Sequence, residues 1–299
     1  MHLCRFHRPG QGARLGVVVD GQLRDVSARW PTMSAFLQWS VGQESLLALV
    51  AQAAAAAEVV GLLESANRAA DPDQIFLLKP TDDQEVWAAG VTYERSRIAR
   101  EEESAGSGIY DRVYTAPRPE IFFKATPNRT VGPFQPVVVR ADSQWNVPEP
   151  ELGLVINPQL ELVGFTIGND MSSRDIEGEN PLYLPQAKMY GNCCALGPLV
   201  VLREAVADPR DLQITLQISR GGSEIFRGEI STAKIVRSYA ELIGFLGRDN
   251  LFPEGVVLLT GTGIVPPDQI SIDHGDTVRI TIAGIGSLVN PVIRGFPSA

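Results

Sequence analysis

From about residue 75 onward the chain is a succession of short β-branched or aromatic runs, each closed by Pro, Gly or Asn, and this punctuation limits the folds open to it. Val86–Gly90, Glu120–Ala125, Val137–Arg140, Leu152–Ile156 and Leu160–Ile167 read as strands, followed by Leu199–Leu202, Leu212–Ser219, Val256–Thr260 and Thr277–Ile282. Only two segments interrupt them as helices: a polar stretch, Glu94–Ser104, and Ser238–Leu246. Strands that outnumber helices without alternating with them argue against a doubly wound sheet. The expected class is α+β, mainly β. Before residue 75 the pattern differs. Leu15–Val19 and Leu23–Val26 flank Asp20-Gly21 as a hairpin, and the Ala-rich stretch Gln43–Arg68 predicts one long helix. Ala69-Ala70-Asp71-Pro72-Asp73 ends it, so we divide the chain into a small α/β unit, 1–75, and a larger one, 76–299.

Composition excludes several functions. Lys and Arg total 26 against 35 Asp and Glu, a net charge of −9 with no basic stripe, which argues against nucleic acid and against an anionic membrane surface. The apolar stretch Ala48–Leu63 is broken by Gln52 and Glu58 and is too short to span a bilayer. The first ten residues lack the apolar core of a signal peptide, so a cytoplasmic location is expected. Cys4, Cys193 and Cys194 form no disulfide pattern and read as buried small side chains. Histidine is scarcer still: only His2, His7 and His274 could serve a zinc site or a serine triad.

Gly261-Thr262-Gly263 lacks the third glycine and the following helix of a dinucleotide loop, because Pro266-Pro267 follows closely. Glu149-Pro150-Glu151 is more informative. In a strand, residues two apart share a face, so Glu149 and Glu151 would project together with Cα atoms roughly 7 Å apart. A hairpin turning at Asn157-Pro158 would bring Asp170 back beside them. Three converging carboxylates repel one another unless a cation neutralises them, and oxygen-only ligands select magnesium, manganese or calcium. A solvated strand face is the competing reading of any Glu-x-Glu.

The surrounding text extends this. Gly164 through Asp175, Glu149 through Ile156, Phe122-Phe123-Lys124, the Lys188 segment ending Leu196-Gly197-Pro198, Leu259 through Gly263, and Gly275 through Asn290 resemble the fumarylacetoacetate hydrolase family, in family order across roughly residues 85–293. The resemblance implies a mixed β-roll catalytic domain over 76–299, assembled as a homodimer or homotetramer, that binds one divalent metal, typically magnesium, and a small-molecule 2-keto acid. It implies Glu149, Glu151 and Asp170 as metal ligands, Lys188 as the active-site lysine, Thr262 as a hydrogen-bonding partner of the substrate's carboxylate or keto group, and Lys124 as a substrate-binding lysine at the pocket edge.

Two departures point within the family. Hydrolytic members carry a histidine three positions after the tyrosine that here is Tyr93; this chain has Ser96 there, and no histidine between residues 8 and 273. A serine cannot act as a general base near neutral pH without one beside it. Glu120 stands where most members carry an apolar residue, and Glu177 through Lys188 is unlike the hydrolase text. Both features resemble the branch that dehydrates 2-keto-3-deoxy sugar acids, such as 2-keto-3-deoxy-D-arabinonate or a related pentonate, to 2,5-dioxopentanoate. That likeness implies Lys188 and Glu120 as the catalytic pair, with burial near the metal lowering the lysine's pKa. A strand carboxylate paired with Lys124 is the plainer reading of Glu120. The alternatives are a diketo-acid C–C hydrolase or oxaloacetate-type decarboxylase of the same family, and a non-catalytic binding protein. The Arg-Glu-Glu-Glu run at 100–103 reads as a solvated face, with a mobile lid as the functional alternative.

Overall fold

The computed structural model describes residues 1–103 and 108–296. Ten strands form the path of the larger sheet, in the order Glu58–Leu62, Gln22–Asp25, Gly12–Val19, His2–Arg8, Cys194–Leu202, Leu162–Asp170, Pro150–Ile156, Val256–Leu259, Glu85–Gly90 and Glu120–Ala125. A second sheet of five strands, Ser223–Ser231, Gln213–Arg220, Asp276–Ile282, Gly286–Arg294 and Val137–Val139, covers one of its faces. The core between them joins Leu152, Leu154 and Phe165 of the larger sheet to Ile214, Leu216 and Ile280 of the smaller. On the opposite face, helices Met33–Trp39 and Leu46–Ala55 place Phe36, Leu37 and Val50 against Val17, Val155 and Val257. All seven residues of Pro150–Ile156 are therefore buried, which is why Leu152–Ile156 reads as a continuous apolar run rather than an alternating one. The architecture is mainly β, as expected. No helix among the described residues is long and apolar enough to cross a membrane.

The Asp20-Gly21 hairpin forms, with Val18 opposite Leu23. The long helix does not. Helix Leu46–Ala55 is followed by a strand, Glu58–Leu62, that pairs with Gln22–Asp25, and only Leu63–Ala66 turns helical again. Val59-Val60-Gly61 is a poor helical run, and a free sheet edge lies beside it, so tertiary pairing overrides the alanine pattern. The sheet also runs across the boundary at residue 75: His2 and Leu3 pair with Val201 and Val200, and Phe76–Leu78 pairs back onto His2–Arg8. All three cysteines are buried and free.

Register decides where the polar residues gather. Glu151 lies opposite Gly168, Asp170 opposite Cys194, Gly153 opposite Leu259, Leu259 beside Ala88, and Gly90 opposite Glu120. Consequently Glu149, Asp170, Gly261, Gly90 and Glu120 all come to the same end of adjacent strands.

Candidate active site

A small pocket opens at that strand end, lined by residues that include Glu149, Glu151, Asp170, Glu120, Lys188 and Thr262. One carboxylate oxygen from each of Glu149, Glu151 and Asp170 lies within 4.8 Å of the others, and all three side chains are buried. The strands fix this geometry. The Asp170 N–H donates to the Glu149 carbonyl at 3.0 Å, and the Glu149 N–H donates to Asn169 Oδ1 at 3.2 Å. The Gly261 N–H donates to Glu151 Oε2 at 2.6 Å. Gly261 can do so because its φ is +90° and a Cβ there would sit 2.1 Å from Thr92 Oγ1, so only glycine brings this backbone close enough.

The charges are unevenly shared. Burial raises Glu149, but Lys188, Arg100 and Arg174 outweigh it and hold the carboxyl well below the usual range. Glu151 is pushed well above its ordinary value by burial and by the negative charges of Asp170 and Glu149. Among the described residues it has no ion pair. A buried, oxygen-only triad with one carboxylate destabilised by the other two fits a hard divalent cation.

Lys188 closes the short helix Leu184–Lys188, and its Nζ contacts Glu149 Oε2 at 2.7 Å, Asp170 Oδ2 at 3.0 Å and Ser172 Oγ at 2.8 Å. Phe122 lies beneath the ammonium, 5.6 Å from ring centre to nitrogen. The expected lowering of its pKa is not what this arrangement gives. Burial works downward, but Asp170 and Glu149 outweigh it and raise the lysine to about 12. Glu120 behaves in the opposite way: burial, then the charge of Glu177, raises it to about 7. Its carboxyl lies over Gly90, where an added Cβ would come within 1.9 Å of Oε2. It makes no ion pair with Lys124 among the described residues, so the plainer reading of Glu120 fails.

Lys124 is fully buried and absent from the pocket lining. It pairs with Asp170 and donates to the carbonyls of Met171, at 2.9 Å, and Lys188. Val86 faces Ala125 and Trp87 faces Phe123, so Lys124 is the extra residue of a β-bulge, which turns it behind the wall. Thr262 lines the pocket, with its Oγ1 3.3 Å from the Ile264 N–H. Ser96 also lines the pocket, and its hydroxyl donates to the Tyr93 carbonyl at 2.8 Å.

Two charged residues, Arg100 and Arg174, escaped the sequence reading. Arg100, 7% exposed, lies within the Arg-Glu-Glu-Glu run that reads as a solvated face. It points inward from helix Glu94–Glu103, with one arm on Glu149 Oε1 at 2.6 Å and the other on Glu177. Arg174 also reaches Glu149 Oε1, at 3.1 Å. Their burial depends on how helices pack over the strand ends, which no local spacing reveals. Ser104, the end of the polar stretch, lies outside the described residues.

The fold and this cluster together define a class: β-roll enzymes with a buried carboxylate triad suited to a divalent cation. The chain belongs to the fumarylacetoacetate hydrolase family, whose profile, Fumarylacetoacetate (FAA) hydrolase C-terminal, matches residues 85–293. It is 54% identical over 213 residues to a probable 2-keto-3-deoxyxylonate dehydratase of Haloferax volcanii, covering 71% of this chain and 73% of the relative. It is 47% identical over 224 residues to 2-dehydro-3-deoxy-D-arabinonate dehydratase of Saccharolobus solfataricus, covering 74% and 75%. The structure of 2-keto-3-deoxy-D-arabinonate dehydratase complexed with magnesium and 2,5-dioxopentanoate superposes with a TM-score of 0.83 at 37% identity, covering 99% of this chain and all of that one.

Proposed function

We propose that this protein is a magnesium-dependent hydro-lyase that dehydrates a 2-keto-3-deoxy sugar acid of five carbons to 2,5-dioxopentanoate. The carrying observation is one pocket that holds Glu120 and Lys188 over the triad, while the Ser96 hydroxyl is engaged by the Tyr93 carbonyl. The two dehydratase relatives support the same reading.

Glu149, Glu151 and Asp170 would hold the cation. When bound, it supplies Lewis-acid polarisation of the 2-keto group, which makes the C3 hydrogens acidic. Lys188 Nζ takes one C3 proton. Its raised pKa comes from Asp170 and Glu149, so neutralising those carboxylates withdraws the attraction and leaves burial, which lowers a lysine, in control. Glu120, whose raised pKa of about 7 keeps a large share of its acid form at neutral pH, gives its proton to the C4 hydroxyl as the C4–O bond breaks and water leaves. Loss of a C5 proton and protonation at C3 then give the C4–C5 enol, which tautomerises to the terminal aldehyde. Thr262 meets the substrate's carboxylate or keto group. Lys124, with its donors taken by Asp170 and two carbonyls, acts by positioning Asp170 and Lys188 rather than by touching substrate.

All these residues lie within 76–299, which supports treating that segment as the unit that carries the chemistry. The first 75 residues extend the sheet and cover one of its faces. A cytoplasmic homodimer or homotetramer belongs to this reading, and light scattering on the eluted protein tests the oligomer. The function itself is tested by incubating 2-keto-3-deoxypentonates with the protein, with and without chelator, and identifying the product. An aldehyde that vanishes with EDTA supports the reading, and pyruvate as product overturns it.

A further inference from the structure

The pocket at the triad is nearly full. The room open to the centre of a water molecule is about 20 Å³, enough for one water. Arg100 is among the residues that fill it: buried, reached from helix Glu94–Glu103, with its guanidinium lying across the pocket between Glu149 and Glu177. Of the three basic residues on Glu149, Lys188 also holds Asp170 and Ser172, and Arg174 is more deeply buried than Arg100. Arg100 has its second arm on Glu177, outside the triad. It can leave Glu149 and keep that anchor.

We propose that Arg100 is the residue that recognises the substrate's carboxylate, and that it exchanges Glu149 for that carboxylate when the site is loaded. This rests on the proposed function only in placing a 2-keto acid and a divalent cation here. The chemistry of the exchange is like for like. A guanidinium arm now donates to a carboxylate oxygen, and the carboxylate is the one group of a sugar acid that matches it in charge and in planar, two-oxygen geometry. Glu149 is also a member of the triad, so a cation drawing on Glu149 loosens its hold on Arg100 beside the place where the incoming carboxylate arrives. The exchange therefore predicts opposite effects of removing Arg100. The cation should bind more tightly because a competing positive charge is gone, and the 2-keto acid should bind more weakly because its partner is gone. A purely structural arginine would weaken both.

The test uses full-length protein and two variants, Arg100→Met and Arg100→Lys, with magnesium titrated calorimetrically into metal-free protein. Pyruvate and its neutral methyl ester are then titrated at saturating magnesium. In Arg100→Met, magnesium affinity should rise about five- to tenfold. Pyruvate affinity should fall at least tenfold while methyl pyruvate changes less than threefold. Arg100→Lys, which keeps the charge without the fork, should fall between wild type and Arg100→Met in both titrations. Unchanged or weaker magnesium binding in both variants overturns the exchange, and equal losses for pyruvate and its ester overturn carboxylate recognition. Neither titration requires turnover, so a chain that binds pyruvate through Arg100 but does not dehydrate sugar acids would refute the dehydratase reading alone.

Discussion

Replacing Lys188 by Met separates the lysine's electrostatic role from its chemical one. Its ammonium lies 2.7 Å from Glu149 Oε2 and 3.0 Å from Asp170 Oδ2, all within a buried cluster. Removing one partner of a buried ion pair costs about 3–5 kcal/mol, because the charge left behind is uncompensated. A chain of 299 residues unfolds with an entropy of about 0.6 kcal/mol/K, taking about 2.1 cal/mol/K per residue, so the metal-free variant should melt about 5–8 °C below wild type. The stranded carboxylates are those proposed to hold the cation. Magnesium should therefore raise Tm by more in Lys188→Met than in wild type, since no ammonium competes for Glu149 and Asp170. Loss of the base should lower kcat by about 10²–10⁴-fold even when magnesium saturates. Differential scanning fluorimetry across a magnesium series and initial rates at saturating metal measure the two effects. Wild-type turnover would refute the assignment of Lys188 as base. A smaller magnesium-induced rise in the variant would refute the shared-carboxylate argument.

Other perturbations address single contacts. Glu120 has a pKa of about 7, so its acid form is present below that pH and lost above it; kcat/KM should fall on the alkaline side of pH 7, and Glu120→Gln should abolish turnover. The same shift has a sign for stability. A carboxyl that is harder to ionise in the folded state than in the unfolded one loses its stabilising contribution as pH rises through the window between 4.5 and about 7, and urea melts of Glu120→Gln should show a flatter pH profile there. In Gly90→Ala the new Cβ would meet Glu120 Oε2 at 1.9 Å and push the carboxyl aside, which should cost about 10²-fold in kcat with an unchanged far-UV spectrum. Asp170→Asn should weaken magnesium binding at least tenfold by calorimetry, since it alters a ligand itself and the loss of a ligand's hydrogen-bonding partner alone costs on the order of 10–100-fold.

The triad was legible because its geometry is local. Two glutamates at strand spacing and one hairpin suffice to bring Glu149, Glu151 and Asp170 together, and the pairing of Glu151 with Gly168 does so. Glu120 and Lys188 could be placed only through resemblance, and their charge states not at all, because Lys188 takes its pKa from carboxylates 18 and 39 residues away in sequence. Arg100 was misread for the same reason: a basic residue inside an acidic run looks solvated until its helix packs over Glu149, 49 residues on. The strand Glu58–Leu62 hid inside an alanine-rich segment because a vacant sheet edge, rather than local propensity, decides its state.

The most direct measurement is the identity of the product. Metal-free protein and protein restored with magnesium would be incubated with D- and L-2-keto-3-deoxypentonate, and the mixtures followed by proton NMR. The aldehyde proton of 2,5-dioxopentanoate should appear only in the magnesium samples, with one enantiomer preferred, and it should form at least about 10²-fold more slowly in Lys188→Met. Pyruvate in place of the aldehyde would contradict the account, as would an aldehyde signal that persists in EDTA.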